Sequence, residues 1–269
     1  MLTNVQGNDG VSTILSAALS KSFENGIDMT VAYSYTDSED VNPMTSSVAG
    51  SNYGNLATIN PANPGKATSD YEVQHRFTFR LGYSHEFFDG YATRFNLRGE
   101  ASEGLPYSYT FNRADGEFGD SNWNGSRQLL YIPLEDDANV VYNMPAEELA
   151  AFNQFIEDEN LERGSIRSRN SESADWYVKF DLKVSQQLPG FMDGHKGEAF
   201  FIIDNLTNLL NDDWGTYKKG SFVGNRMVDM SIDDQGRYVY TGFNDGNQDT
   251  SVQRDASLWE MRVGVRYTF

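Results

Sequence analysis

No cysteine occurs among the 269 residues, which leaves the chain without a disulfide framework and without thiolate metal sites. Histidine is scarce too: His75, His85 and His195 are the three present, and the sequence places no serine or aspartate beside any of them to build a triad. Glycine-rich phosphate loops and zinc-ligand spacings are missing. No apolar run is long enough for a membrane helix, and the mean hydropathy is -0.57. Residues 1–10 lack the basic and apolar regions of a secretory leader. Positive charge is in deficit, with 21 Lys and Arg against 39 Asp and Glu and a pI near 4.4, which disfavours nucleic acid as a partner. The expectation is a chain with no catalytic residues, no metal and no cofactor.

What the chain does have is alternation. Across 257–269, Trp259, Met261, Val263, Val265, Tyr267 and Phe269 fall on one side and Glu260, Arg262, Gly264, Arg266 and Thr268 on the other. A period of two puts these sets on opposite faces of a β-strand. The pattern recurs over 27–36, 73–87, 91–100 and 176–185, and more weakly over 11–23, where Leu15, Ala17 and Leu19 form the apolar set. The segment 198–205 carries four apolar residues in a row, of which Phe201 and Ile203 are expected to point outward. Tilted strands of about 9 to 11 residues are long enough to span a bilayer, and low hydropathy is no objection because lumen residues alternate with lipid-facing ones.

Connections alternate as well. Residues 24–26 and 88–90 end in Asn-Gly and Asp-Gly, the chemistry of tight hairpins, whereas 37–72, 104–173 and 206–256 are long. Phe23, Phe87, Tyr91, Tyr267 and Phe269 lie at the short-turn ends, and Tyr35, Trp176 and Trp259 at the long-loop ends, as in two interfacial girdles. The fold expected is all-β: an antiparallel transmembrane β-barrel, here seven or eight C-terminal strands of a larger one, with residues 226–243 as a hairpin inside the last loop. Single-chain bacterial barrels have an even number of strands, so seven alone would not close.

The run Phe201-Ile202-Ile203-Asp204-Asn205-Leu206-Thr207-Asn208-Leu209-Leu210 resembles the penultimate strand and turn of TonB-dependent outer-membrane receptors, and Val263-Gly264-Val265-Arg266-Tyr267-Thr268-Phe269 resembles their final strand. Gly104-Leu105-Pro106-Tyr107-Ser108 and Leu130-Tyr131-Ile132-Pro133 are similar to the Oar-like branch. The resemblance implies that residues 1–269 are the C-terminal part of a probably 22-stranded barrel, with the plug domain and N-terminal strands absent from this chain. It further implies residence in the bacterial outer membrane against lipid and lipopolysaccharide, energised uptake of a scarce solute through the TonB complex, and recognition of Val263, Val265, Tyr267 and Phe269 by the barrel assembly machinery. Related receptors handle siderophores, oligopeptides and glycans. A structural or adhesive barrel without transport, and a soluble β-sandwich, are the competing readings.

The inward face is expected to carry Arg76, Arg80, Arg94, Arg98, Lys179, Lys183, Arg262 and Arg266 against Glu100, Asp181 and Glu260. Two roles are open for it: a wet wall satisfied by pairs such as Arg98 or Arg94 with Glu100, or a surface for an acidic plug or anionic solute. Residues 143–148 start a helix, with Leu149, Phe152 and Ile156 on one packing face. Residues 135–137 and 157–159 are expected as solvated acidic faces. Tyr107, Tyr109, Phe111 and Trp123 are expected to pack locally rather than to stack on a ligand.

Overall fold

The computed structural model describes residues 10–112 and 127–269. Seven long strands form one antiparallel meander: β1 (Val11–Ser22), β2 (Ile27–Asp40), β3 (His75–Phe88), β4 (Tyr91–Ser102), β5 (Tyr177–Pro189), β6 (Lys196–Asp204) and β7 (Glu260–Thr268). Each pairs only with its neighbours in sequence, apart from a two-residue strand, Ala67–Thr68, added to the end of β2. Among the described residues β1 and β7 do not meet, so the sheet is open, with two edges. No described helix is long and apolar enough to cross a membrane, a fact silent about strands.

Register makes the two faces chemically distinct. Val31, Phe79, Gly99 and Phe180 follow one another across β2 to β5 on the apolar face, as do Val184, Phe201 and Val263 across β5 to β7. One residue along, Thr30, Arg80, Arg98 and Asp181 form the matching row on the polar face. The ambiguous apolar run resolves the same way: Phe201 and Ile203 join the apolar face, and Phe200 and Ile202 the polar one, where the Phe200 ring lies over Gly264 with the Lys183 ammonium 5.6 Å from its centroid. Strand side chains alternate, so a single slip in pairing would exchange the faces.

The first hairpin shows why its turn chemistry is needed. Phe23 N–H donates to the Ile27 carbonyl at 2.8 Å, and Gly26 takes φ 84°, where L side chains are rare. A Cβ at Gly26 would sit 2.2 Å from the Ser84 carbonyl oxygen of the next hairpin, so glycine is required for contact as well as for conformation.

The buried core is not in this wall. It lies in a cap built by the connections between β4 and β5 and between β6 and β7. There a four-stranded sheet runs Tyr109–Asn112, Asn225–Ile232, Tyr238–Phe243, Val140–Tyr142, with the hairpin at its centre and both outer pairings parallel. The helix Ala146–Asp158 packs Phe152, Phe155 and Ile156 onto Tyr109, Met227, Tyr240 and Phe243. Phe155 thus takes the place expected for Leu149, which is half-buried. Tyr109 and Phe111 are buried as core residues and Tyr107 packs against them, as expected, while Trp123 lies outside the described residues.

At the base of the cap, Asn205, just past β6, ties β5 to the two ends of the connection that leads to β7. It adopts a left-handed conformation (φ 57°, ψ 59°) and its N–H donates to Asp181 Oδ1 on β5 at 2.8 Å. Its Nδ2 donates to the Gly215 and Ser257 carbonyls at 2.9 and 2.6 Å, and its Oδ1 accepts from Thr207 Oγ1 at 2.6 Å. Asn208 Nδ2 donates to the carbonyls of Asp212 and Trp214, both at 2.9 Å. The segment that resembles a receptor turn is, in structure, a hydrogen-bonded knot that fixes where β6 ends and β7 begins.

The cap also predicts its own pH limit. Burial pushes the Tyr240 and Tyr109 phenols well up, and the hydrogen bond from Tyr131 Oη to Asp137 Oδ2, at 2.6 Å, raises Tyr131 to about 12. For an acid whose folded value lies above its unfolded value of 10, the stabilisation is complete below that pH and is lost as pH rises through the folded value. The cap should therefore unfold between about pH 10 and 12, with tyrosinate absorbance rising together with loss of near-ultraviolet circular dichroism. Smooth phenol titration at pH 10 with the cap signal intact would contradict this.

Candidate functional site

The polar face of the wall carries the densest set of charged side chains. A basin of about 700 Å³ is lined by Arg80, Arg98, Glu100, Lys179, Asp181 and Lys183, drawn from β3, β4 and β5. Arg76, Arg94, Glu260, Arg262 and Arg266 share the face, with Arg94 opposite both Ser84 and Ser185, so strand geometry brings together every residue expected there. The strands add acids not counted in the sequence reading: Asp28 opposite Gly82, Glu198 opposite Arg266, and Asp204 opposite Glu260.

Pairing on this face departs from expectation. Glu100 Oε1 lies 3.3 Å from Arg76 Nε, not against Arg98 or Arg94. Arg76 faces Ser102 and Glu100 faces Thr78, so the guanidinium reaches Glu100 along a diagonal of the ladder. Arg262 pairs with Asp204 and lies 3.5 Å from Glu260, and Arg266 lies 3.7 Å from Glu198. Asp181 accepts from both the Asn205 N–H and Lys179 Nζ (3.2 Å) through Oδ1, so its charge is engaged in structure. Arg80 and Arg98, meanwhile, stand directly opposite each other. Among the described residues neither they nor Arg94 has an ion pair. Like charges facing across a ladder oppose pairing; Arg98 also faces Asp181 on β5, so it is Arg80, between Thr30 and Arg98, whose presence sheet stability does not explain.

The apolar face presents the complementary picture. Phe77 on β3 and Val178 on β5 are 45% and 41% accessible although both strands are central, and no residue of the core cluster comes from the wall. Aromatic rings mark both ends. Tyr33, Tyr35, His75, Phe77 and Trp176 make a continuous series of stacked and tilted ring contacts at the long-loop end, with Tyr33 Oη 2.9 Å from His75 Nδ1. At the short-turn end Tyr83, His85, Phe87 and Phe95 make one group, and Phe191, His195, Tyr267 and Phe269 another. Phe23 and Tyr91 flank the short turns, Lys21 Nζ lies 4.9 Å from the Phe23 ring centroid, and Trp259 precedes β7 at the cap end. Val263, Val265 and Phe269 are strongly exposed on the free edge strand.

Comparison with protein-family models, characterised proteins and solved structures found no match. What the molecule does has to follow from these two faces and the cap.

The like-charge pair gives a direct check. Arg80→Glu places an acid opposite Arg98 and should stabilise the wall by about 0.2–1 kcal/mol, the worth of one cross-strand pair. The measurement is the thermal or denaturant midpoint of the strand signal. A fall in that midpoint would show that Arg80 supports the fold.

Proposed function

We propose that this chain supplies seven consecutive wall strands and the external cap of an outer-membrane β-barrel in a TonB-dependent receptor, taking up a scarce solute. The observation that carries the reading is an apolar sheet face left uncovered by protein and bordered by aromatic rings at both ends. Exposed apolar patches larger than a few hundred Å² are uncommon on soluble monomers. From His75 to His85 the strand advances about 33 Å at ~3.3 Å per residue. With a tilt of ~40° that becomes roughly 25 Å, the height of a lipid-facing band.

Electrostatics supports the receptor part. Arginines without an ion pair on the face away from lipid, Arg80 above all, are what a wall needs if an acidic domain or anionic solute passes against it. The knot at Asn205 supports it differently, since it holds the cap above the wall at a fixed height. In this reading the short turns are periplasmic, and the face of Arg80 and Arg98 lines the lumen.

Lipid contact is testable by fluorescence. With Trp123 and Trp214 replaced by phenylalanine, emission from Trp176 and Trp259 should be quenched strongly by lipids brominated near the headgroup and weakly by lipids brominated at the chain ends. A chain that stays monodisperse without detergent and shows no quenching would defeat the barrel reading. Energy dependence is a separate check on the complete receptor: solute accumulation should stop when the proton gradient across the inner membrane is collapsed. Accumulation that persisted would leave a barrel without TonB coupling.

A further inference from the structure

Three connections converge on a second pocket, of about 240 Å³, in the loop layer. Asp70 and Tyr71 come from the β2–β3 connection, Tyr107 and Arg169 from the β4–β5 connection, and Phe222 and Val223 from the β6–β7 connection. At its base the Arg169 side chain is 4% accessible. Its Nη2 donates to the Asp40 carbonyl at 2.5 Å and to Asp40 Oδ1 at 3.0 Å. Its Nη1 is buried without a hydrogen-bond acceptor among the described residues, and the nearest carboxylate oxygen, Asp70 Oδ1, lies 3.7 Å away and already accepts from Asn170 Nδ2 at 2.6 Å.

A buried guanidinium N–H without an acceptor beside a part-exposed carboxylate calls for a group that accepts from one and donates to the other. A hydroxyl does both. Charge does not call for an anion, because Asp40 and Asp70 offset Arg169 and Lys219, the two cations at the pocket. The rim is aromatic: Tyr71 and Phe222 are each 67% accessible, so neither ring is used in packing the cap. Gly220 lets the last connection press on Tyr107, since a Cβ there would fall 2.4 Å from the Tyr107 Cβ. Val223 in the pocket lining holds φ 72°, a conformation β-branched residues rarely adopt and one that clusters at ligand clamps.

We propose that this pocket binds a neutral pyranose, with one hydroxyl bridging Arg169 Nη1 and the Asp70 carboxylate and the C–H face of the ring against Tyr71 or Phe222. The proposal goes beyond the barrel reading, because the loop layer holds the pocket whether or not the wall lies in lipid. A pyranose could arrive as a free saccharide or as a sugar of a neighbouring glycolipid.

The test is saturation-transfer difference NMR on the full chain in lauryldimethylamine oxide, a detergent without sugar. The probes are methyl glucoside, methyl galactoside, methyl mannoside and N-acetylglucosamine. Transfer to ring protons of at least one probe is expected, weakened about twofold to tenfold by Tyr71→Ala or Phe222→Ala, the worth of one ring contact, with the melting midpoint unchanged. Displacement by a soluble oligosaccharide assigns the site to free saccharide, and displacement by delipidated lipopolysaccharide core alone assigns it to the glycolipid. No transfer from any of the four probes, equal transfer in both variants, or displacement by trialanine instead of sugar would overturn the proposal.

Discussion

The register of the seven-strand ladder is the constraint from which the other features follow. Because the pairing holds from β1 to β7, with a single irregularity between His85 and Phe88, rows such as Leu19, Val31 and Phe79, or Val184, Phe201 and Val263, bring apolar residues of neighbouring strands together. The wall therefore acquires one greasy and one charged surface without any layer packed on it. Glycine makes room where rings would collide: Gly99 admits Phe180 on the apolar side and Gly264 admits Phe200 on the polar side, where a Cβ would fall 2.5 and 2.3 Å from ring carbons. The same alternation that sorts the faces also delivers Arg80 and Arg98 to one spot, at some cost in pairing energy.

Hydrophobic burial, the usual source of stability, is spent elsewhere. The cap has a core of the ordinary kind, with Phe152, Met227, Val228 and Tyr240 fully sequestered, a helix laid on a sheet and tyrosines whose hydroxyls find partners. A small domain of this kind attached to a wall that buries little in protein is a division of labour. The cap shelters its own apolar side chains, whereas the wall leaves much of its apolar face uncovered by protein.

Facing within the strands was legible in the sequence because a period of two survives any reasonable error in strand ends. Even the run Phe200 to Ile203 needed only the ladder to decide it, since Val184 and Val263 leave one choice for Phe201. The cap was much less legible. Tyr109 meets Asn225 and Val140 meets Tyr238, partners roughly a hundred residues apart that no local pattern links. On the helix the expected stripe had Leu149 where the buried one has Phe155, because a stripe read at spacings of three and four admits two neighbouring faces. The wall pairing of Glu100 was misjudged for a similar reason, as its partner Arg76 belongs to another strand. Arg169 gave no signal at all: its partners Asp40 and Asp70 lie in an earlier connection, and only folding makes it a buried charge.

Parallel pairing in the cap has a consequence for biogenesis. Residues 109–112 and 140–142 each add to the flanks of a hairpin, 225–243, that is synthesised long after them. Neither connection has a complete sheet by itself, so the earlier one must wait, with Phe152 and Phe155 unsheltered, until the later one reaches the same side. Contacts this remote in sequence form slowly, and the exposed intermediate is the species most prone to sticking. A chain cut before residue 225 would keep the helix and both flanking strands of the cap but lose the hairpin they lie against.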